Sequence, residues 1–209
     1  MNRLVFLVFA AWLAGCTASG PARVKNVDAI ASGSGSGLIV GSFSRAPRGP
    51  KYSYYSFYYR EVGTERAKGS LRASRSQVGL GEEEFKDDFR EIDAEGAIFS
   101  IELAPGSYEF FQYELYVGNG YFSSTWRSKK DFSIRFDVTP GGIIYIGEIL
   151  LEPVTGRNLF GLEVPDGGTW SLRNKAERDL PLLLDLYPSL PWKATSILRQ
   201  DGCSSIYEC

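Results

Sequence analysis

The chain has 209 residues, of which 44% are hydrophobic and 14% aromatic, and a formal net charge of −2. This composition is typical of a globular protein rather than a disordered or collagen-like chain, and no long basic block provides an electrostatic footprint for nucleic acid. We therefore predict no nucleic-acid partner. The sequence also contains no His, which excludes His-based nucleophile triads, His-ligated zinc and imidazole acid–base catalysis. We predict no cofactor.

The amino terminus combines one positive charge with a short apolar segment. Arg3 is followed by ten consecutive apolar residues, 4–13. Ten residues rise only about 15 Å as a helix, whereas a membrane span needs about 20 residues. The segment is therefore typical of a cleaved secretory signal. Residues 13–16, which end at Cys16, resemble the lipobox of bacterial lipoproteins.

The lipobox resemblance implies a membrane anchor. In that family the cysteine sulfur receives a diacylglyceryl group, and removal of residues 1–15 would make Cys16 the mature amino terminus. Two or three acyl chains, palmitate among them, exceed the two signals needed for stable anchoring. In the sorting pattern of these lipoproteins, Thr17 favours the outer membrane of a Gram-negative cell, on its periplasmic side. The alternative is a plain secretory signal with a chance cysteine.

The remaining chain divides by composition into a tether, a β domain, a helix and a tail. Residues 16–36 are mostly small and polar after the lipidated cysteine, so we predict a flexible tether with a reach of about 25 Å. We assign residues 37–172 to a β domain and 173–192 to a helix packed on it. Residues 193–209 form the tail.

Short apolar segments separated by Gly- and Pro-containing turns predict a mainly-β domain. Residues 132–138 alternate apolar and polar side chains, which is typical of an antiparallel strand buried on one side. Residues 143–151 are almost continuously apolar, as in a strand buried on both faces. Other strands are predicted at 38–43, 52–59, 97–103, 107–117, 159–164 and 169–172. This pattern favours a sandwich or a barrel.

A different periodicity predicts one short C-terminal helix. Asn174 can cap it, with Glu177 three residues later, and Pro188 ends it. Four apolar residues then share one helical face: Leu180, Leu183, Leu184 and Tyr187. Pro181 either interrupts this helix or begins it.

Two turn motifs carry a second resemblance. Residues 99–108 contain Pro105 before Gly106, and residues 136–149 contain a similar Pro-Gly turn followed by an apolar strand. These segments resemble the prealbumin-like (transthyretin or carboxypeptidase-regulatory type) β-sandwich of many bacterial lipoproteins. The resemblance covers about residues 37–190 and implies an antiparallel β-sandwich closed by the helix. An enzyme branch of that fold uses histidines, which this chain lacks, so we predict a protein that is not an enzyme.

Two functions fit these expectations. The first is a non-catalytic structural or protein-interaction module that is anchored in the membrane by its lipid and bound to an envelope protein complex. The alternative is a ligand-binding module for carbohydrate or peptidoglycan, the cell-wall glycan, because flat aromatic side chains with polar tips can stack on sugar rings. Its candidate binding surface is formed by Tyr52, Tyr54, Tyr55, Tyr58 and Tyr59. A second aromatic set comprises Tyr113, Tyr116, Tyr121, Phe122 and Trp126. The opposing interpretation is that both faces of these strands are covered.

The two cysteines beyond the lipobox predict a disulfide. Cys203 and Cys209 are the pair that remains once Cys16 is lipidated, and an exported chain meets an oxidising compartment. The small loop would shape the tail rather than stabilise the β domain. Neither this pair nor the acidic segment 82–90, which lacks the spacing of an EF-hand, predicts a metal site.

Overall fold

A computed structural model describes most of the chain from residue 20 onward. The described residues are 20–25, 27, 30, 32, 35–74, 76–78, 81–83, 86–118, 123–192, 195–197 and 205–208. The signal segment, Cys16, Cys203 and Cys209 lie outside them, as do Tyr121 and Phe122. Lipidation and the disulfide therefore stay predictions.

The described chain is mainly β-strand with a short C-terminal helix, which confirms the predicted fold class at that level. The strands are β1 (Gly37–Arg45), β2 (Tyr54–Glu61), β3 (Gly69–Ser74), β4 (Ser76–Val78), β5 (Gly81–Glu83), β6 (Phe89–Arg90), β7 (Glu95–Leu103), β8 (Gly106–Gly118), β9 (Ser123–Arg127), β10 (Ile134–Val138), β11 (Ile143–Arg157), β12 (Glu163–Arg173) and β13 (Ser196–Ile197). The helix is α1 (Ala176–Leu186).

Two larger sheets form the body of the fold. The first has the order β12-β11-β1-β7-β6, with β13 also paired to β11. The second has the order β10-β8-β2-β3, with β9 also paired to β8, and β4 and β5 form a separate pair. Most pairings follow the predicted antiparallel pattern, but β1 runs parallel to β11, with Leu38 opposite Ile143. No hairpin links these two strands directly, so the chain can bring them together in either direction.

The facing side chains of the two larger sheets pack into one core. Trp170 of the first sheet is 2% exposed. Its ring stacks on Phe43 at a centroid distance of 5.6 Å and packs against Phe57 of the second sheet at 5.2 Å. The apolar residues that alternate along the strands are therefore buried between the sheets, because successive side chains of a strand point to opposite faces.

The outer face of the first sheet is covered by α1 and by part of the segment that we predicted to be a flexible tether. Val27 and Ile30 are buried there against strand residues and the helix residue Leu183. The Val24 amide donates a hydrogen bond to Ser100 Oγ at 2.8 Å. This contradicts a tether that is flexible throughout 16–36, because a few apolar residues within a polar segment are enough to dock it.

The helix differs from its prediction in detail. Asn174 Oδ1 accepts a hydrogen bond from the Ala176 amide at 3.1 Å, although the N-cap residue is Lys175. Pro181 lies inside the helix rather than at its start, at an exposed position, and it cannot donate a backbone hydrogen bond to the carbonyl four residues earlier. Among the described residues, no helix is long and apolar enough to span a membrane.

The strand predicted over residues 159–164 is instead largely a turn. β11 continues to Arg157 and β12 begins at Glu163, so that residues 158–162 connect them. Leu159 is 102% exposed and Phe160 is 87% exposed at this turn. Their apolar composition predicted a buried strand. These residues are exposed because they lie at the end of a long hairpin, beyond the core.

Candidate functional site

The five tyrosines predicted as a binding surface divide between the core and the outer face of the second sheet. Tyr52, Tyr55 and Tyr59 are 4%, 5% and 8% exposed, respectively, so the prediction is wrong for these three. Tyr54 and Tyr58 are half-buried on the other face of β2. Within β2 the division follows from strand alternation, which turns every second side chain inward, whereas Tyr52 precedes this strand.

The outward tyrosines belong to a network of contacts within the protein. Tyr54 stacks on Tyr116 with ring centroids 4.9 Å apart, and the Arg72 guanidinium lies 4.2 Å from the Tyr54 ring centroid. The Tyr54 hydroxyl donates to Glu114 Oε1 at 2.6 Å. Burial, followed by this hydrogen bond, raises the pKa of Tyr54 to about 12, so the hydroxyl keeps its proton at neutral pH. This part of the face already satisfies its own polar groups.

Glu114 connects this network to Arg127 at the edge of the sheet. Arg127 contacts Glu114 through two nitrogens, with Nε at 2.7 Å and the nearer terminal nitrogen at 2.6 Å from Oε2. Burial opposes ionisation of Glu114, but hydrogen bonds from Tyr54 and Arg127 hold the pKa of this carboxyl below its usual value. The ionised carboxylate thereby fixes Arg127, which also lines a neighbouring cleft.

That cleft has a volume of about 570 Å³ and lies where β8 and β9 meet the β11–β12 hairpin. Its lining combines aromatic rings, cationic side chains and hairpin backbone. The lining residues are Tyr113, Trp126, Arg127, Lys129, Lys130, Val154, Asp166, Gly167, Gly168 and Tyr207. Its volume is in the range of small-molecule sites, which are concave and mostly apolar with a few polar groups.

Trp126 is held in this cleft by Tyr52, which does not line the cleft, and by Gly167, which does. The Trp126 ring meets Tyr52 edge-on at a centroid distance of 5.6 Å, and the Tyr52 hydroxyl donates to the Gly167 carbonyl at 2.5 Å. Gly167 has φ +83°, and a Cβ there would lie 3.2 Å from Trp126 Cδ1. Tyr52, one of the predicted binding tyrosines, therefore supports the cleft from within the core.

The charge of the cleft is positive although the chain as a whole is negative. Lys129 and Lys130 contribute two positive charges and Asp166 one negative charge, whereas the charge of Arg127 is balanced by Glu114. The cleft therefore has an excess of one positive charge, compared with −2 for the chain. Lys130 Nζ lies 5.2 Å from the Tyr207 ring centroid. Cations beside flat rings suit a ring-shaped ligand that carries a negative charge.

Sequence reasoning identified part of this site. Trp126 and Tyr113 belong to the second aromatic set, and their excess over what one core needs was the signal. Lys129, Lys130 and Tyr207 were missed, because Tyr207 is far along the chain and two adjacent lysines are ordinary in a surface loop.

The acidic segment forms ion pairs within the fold. The Asp87 side chain is 2% exposed and pairs with Arg45 at 3.4 Å and Arg90 at 3.2 Å. Burial raises the pKa of Asp87 above its usual value, although Arg45 opposes this shift. No group of three or more potential metal ligands occurs among the described residues.

Comparisons with known proteins identify no family for this chain. No protein-family model and no curated protein matches it. Among solved structures, a leucine-rich repeat protein from Bacteroides thetaiotaomicron is similar, with 12% sequence identity and a TM-score of 0.32. The similarity covers 56% of this chain and 14% of that one. At this TM-score it carries no information on fold or function.

Proposed function

We propose that this protein is a lipid-anchored, non-catalytic binding module of the cell envelope, built on a prealbumin-like β-sandwich. The observation that carries the binding function is the cationic, aromatic cleft around Trp126. The anchor is supported by the lipobox-like residues 13–16, and binding without catalysis by the lack of His in the sequence. The envelope setting is the outer membrane, with the domain on its periplasmic side.

The cleft favours the ligand-binding form of this function over a purely structural one. Trp126 and Tyr207 offer rings on which a sugar can stack, while Lys129 and Lys130 can pair with carboxylates. The free carboxylates of peptidoglycan lie on the peptides attached to its sugar chains, so we propose peptidoglycan, a glycan that carries acidic peptides, as the ligand. Association with an envelope protein complex stays a prediction.

Replacement of Trp126 by Ala should weaken binding of purified peptidoglycan sacculi about tenfold, which corresponds to about 1.4 kcal/mol. The cause is loss of the stacking ring, and co-sedimentation with sacculi over a concentration series measures the effect. Phe160→Ala is the matched control, because it removes an exposed ring outside the cleft lining. Equal binding by the Trp126 variant and wild type would contradict the assignment of the cleft.

The charge contribution has its own test in the same assay. Lys129→Ala combined with Lys130→Ala should weaken binding and reduce its sensitivity to salt, because fewer screened charge pairs remain. Lys51→Ala removes an exposed charge outside the lining of this cleft and should have no effect. Unchanged salt dependence in the double variant would show that the ligand is not recognised through its charge.

Replacement of Cys16 by Ser should abolish lipid attachment, because serine has no sulfur to receive the diacylglyceryl group. We expect the variant to accumulate as uncleaved precursor or to leave the detergent-soluble membrane fraction. Mass spectrometry of the wild-type amino terminus provides the direct check. An unacylated or differently cleaved wild-type terminus would overturn the anchor.

A further inference from the structure

The tip of the β11–β12 hairpin exposes a cluster of large apolar side chains. Leu159, Phe160 and Leu162 are 102%, 87% and 63% exposed. Arg157 and Glu163 form the last strand pair before them, beyond the end of the neighbouring strand β1. Several apolar side chains that lie together at a protruding turn are typical of a contact surface, whereas single exposed apolar residues are common on any protein.

The backbone of this tip is satisfied internally by Asn158. The Asn158 amide donates to the Leu162 carbonyl at 3.0 Å, and the Gly161 amide donates to the Asn158 carbonyl at 2.9 Å. Asn158 Oδ1 accepts from the amides of Phe160 and Leu162, each at 3.0 Å. The tip is therefore an ordered turn whose amides need little water. This property matters in lipid, where unpaired backbone groups are costly.

The charge of the hairpin end indicates which kind of lipid bilayer it could contact. Residues 154–164 contain one cation, Arg157, and one anion, Glu163, so their net charge is zero. Attraction to anionic lipids requires a cluster of basic residues, which this segment lacks. Its apolar, neutral end fits the interface of a bilayer with uncharged headgroups.

The proposed lipid anchor on Cys16 would keep the domain close to the bilayer. Gly20 is the first described residue and lies four positions after Cys16. Four extended residues span at most about 14 Å. Since the chain docks onto the fold within 22–30, a lipid on Cys16 would hold the domain near the bilayer instead of at the end of a long tether.

We propose that the tip formed by Leu159, Phe160 and Leu162 inserts into the bilayer interface and orients the domain on the membrane. This inference rests on the proposed lipid anchor. The tip supplies a second contact, so that the domain is held at two points rather than one. Burial of apolar side chains drives the contact, and salt should therefore leave it unchanged.

The test uses the mature lipidated protein in vesicles of uncharged phosphatidylcholine and phosphatidylethanolamine. Trp is introduced as Phe160→Trp, and its fluorescence is compared in vesicles with and without brominated acyl chains. Ile92→Trp is the matched control, because Ile92 is 100% exposed and lies outside the hairpin. We expect quenching beyond the wild-type background for Phe160→Trp alone, equally at low and high salt.

The outcomes separate the tip from the anchor. Failure of the wild-type protein to float with vesicles would overturn the proposed anchor, whereas flotation without extra quenching of Phe160→Trp would overturn only the tip. Equal quenching of the Ile92 variant would show that the domain is not oriented by its tip. A blue shift of the Phe160→Trp emission that requires a second copy or a partner protein, in the absence of lipid, would assign the tip to a protein contact and also overturn the proposal.

Discussion

Replacement of Trp170 by Ala is expected to lower the free energy of unfolding by about 3–5 kcal/mol, as large core truncations do. The Trp170 ring is 2% exposed and contacts aromatic rings from both large sheets. These include Tyr113, at a centroid distance of 5.7 Å, whose ring also lines the cleft. Because domains are stable by about 5–15 kcal/mol, this single change removes a large part of the total.

Urea unfolding followed by circular dichroism measures this loss. The control is Phe160→Ala, which removes an aromatic ring of similar size that is 87% exposed and should shift stability by less than about 0.5 kcal/mol. Similar midpoints for the two variants would show that the contact between the sheets contributes little, and would contradict the core described above.

Replacement of Asp179 by Ala is expected to destabilise the fold by about 3–5 kcal/mol, because it leaves buried partners without their carboxylate. Asp179 is 0% exposed. Its carboxylate accepts hydrogen bonds from Ser42 Oγ, Tyr145 Oη and Arg178 Nε, each at 2.7 Å. These bonds join α1 to two strands of the first sheet. We expect the contact of the helix with β1 and β11 to weaken first, although Arg178 keeps its bonds to Ser42 and Glu148.

Two further variants separate the role of charge from that of position in the helix. Asp185→Ala removes an exposed carboxylate from the same helix and should have little effect. Asp179→Asn keeps an oxygen for Tyr145 and Ser42 but loses the charge that faces Arg178, so we expect an intermediate loss. Hydrogen exchange at the amides of α1 reports the weakening of the helix contact directly. Equal stability of the Asp179 and Asp185 alanine variants would contradict this account.

Local periodicity explains which elements could be predicted. The alternating residues of β10 are correctly assigned because side-chain direction in a strand repeats every two residues. The apolar run at the start of β11 is correctly assigned because a strand buried on both faces is apolar throughout. The helix was found because its apolar residues follow a different period. The turn at 158–162 was misassigned, since apolar composition does not reveal whether a segment meets the core.

The candidate site was only partly predictable. An excess of aromatic residues pointed to Trp126, but it also pointed to Tyr55 and Tyr59, which are buried. The number of aromatic residues in a segment does not determine which face of a sheet each ring occupies. The position of Tyr207 beside Trp126 and Lys130 depends on how a distant segment returns to the hairpin.

By itself, the sequence determined the fold class, seven of the thirteen described strands and the lipobox-like string before Thr17, because each depends on neighbours in the chain. Tertiary structure alone decided that β1 lies parallel to β11, that Val27 and Ile30 dock on the first sheet, and that Asp179 is buried. These features join segments far apart in sequence. Their free energy comes from burial and pairing between surfaces that no local pattern specifies.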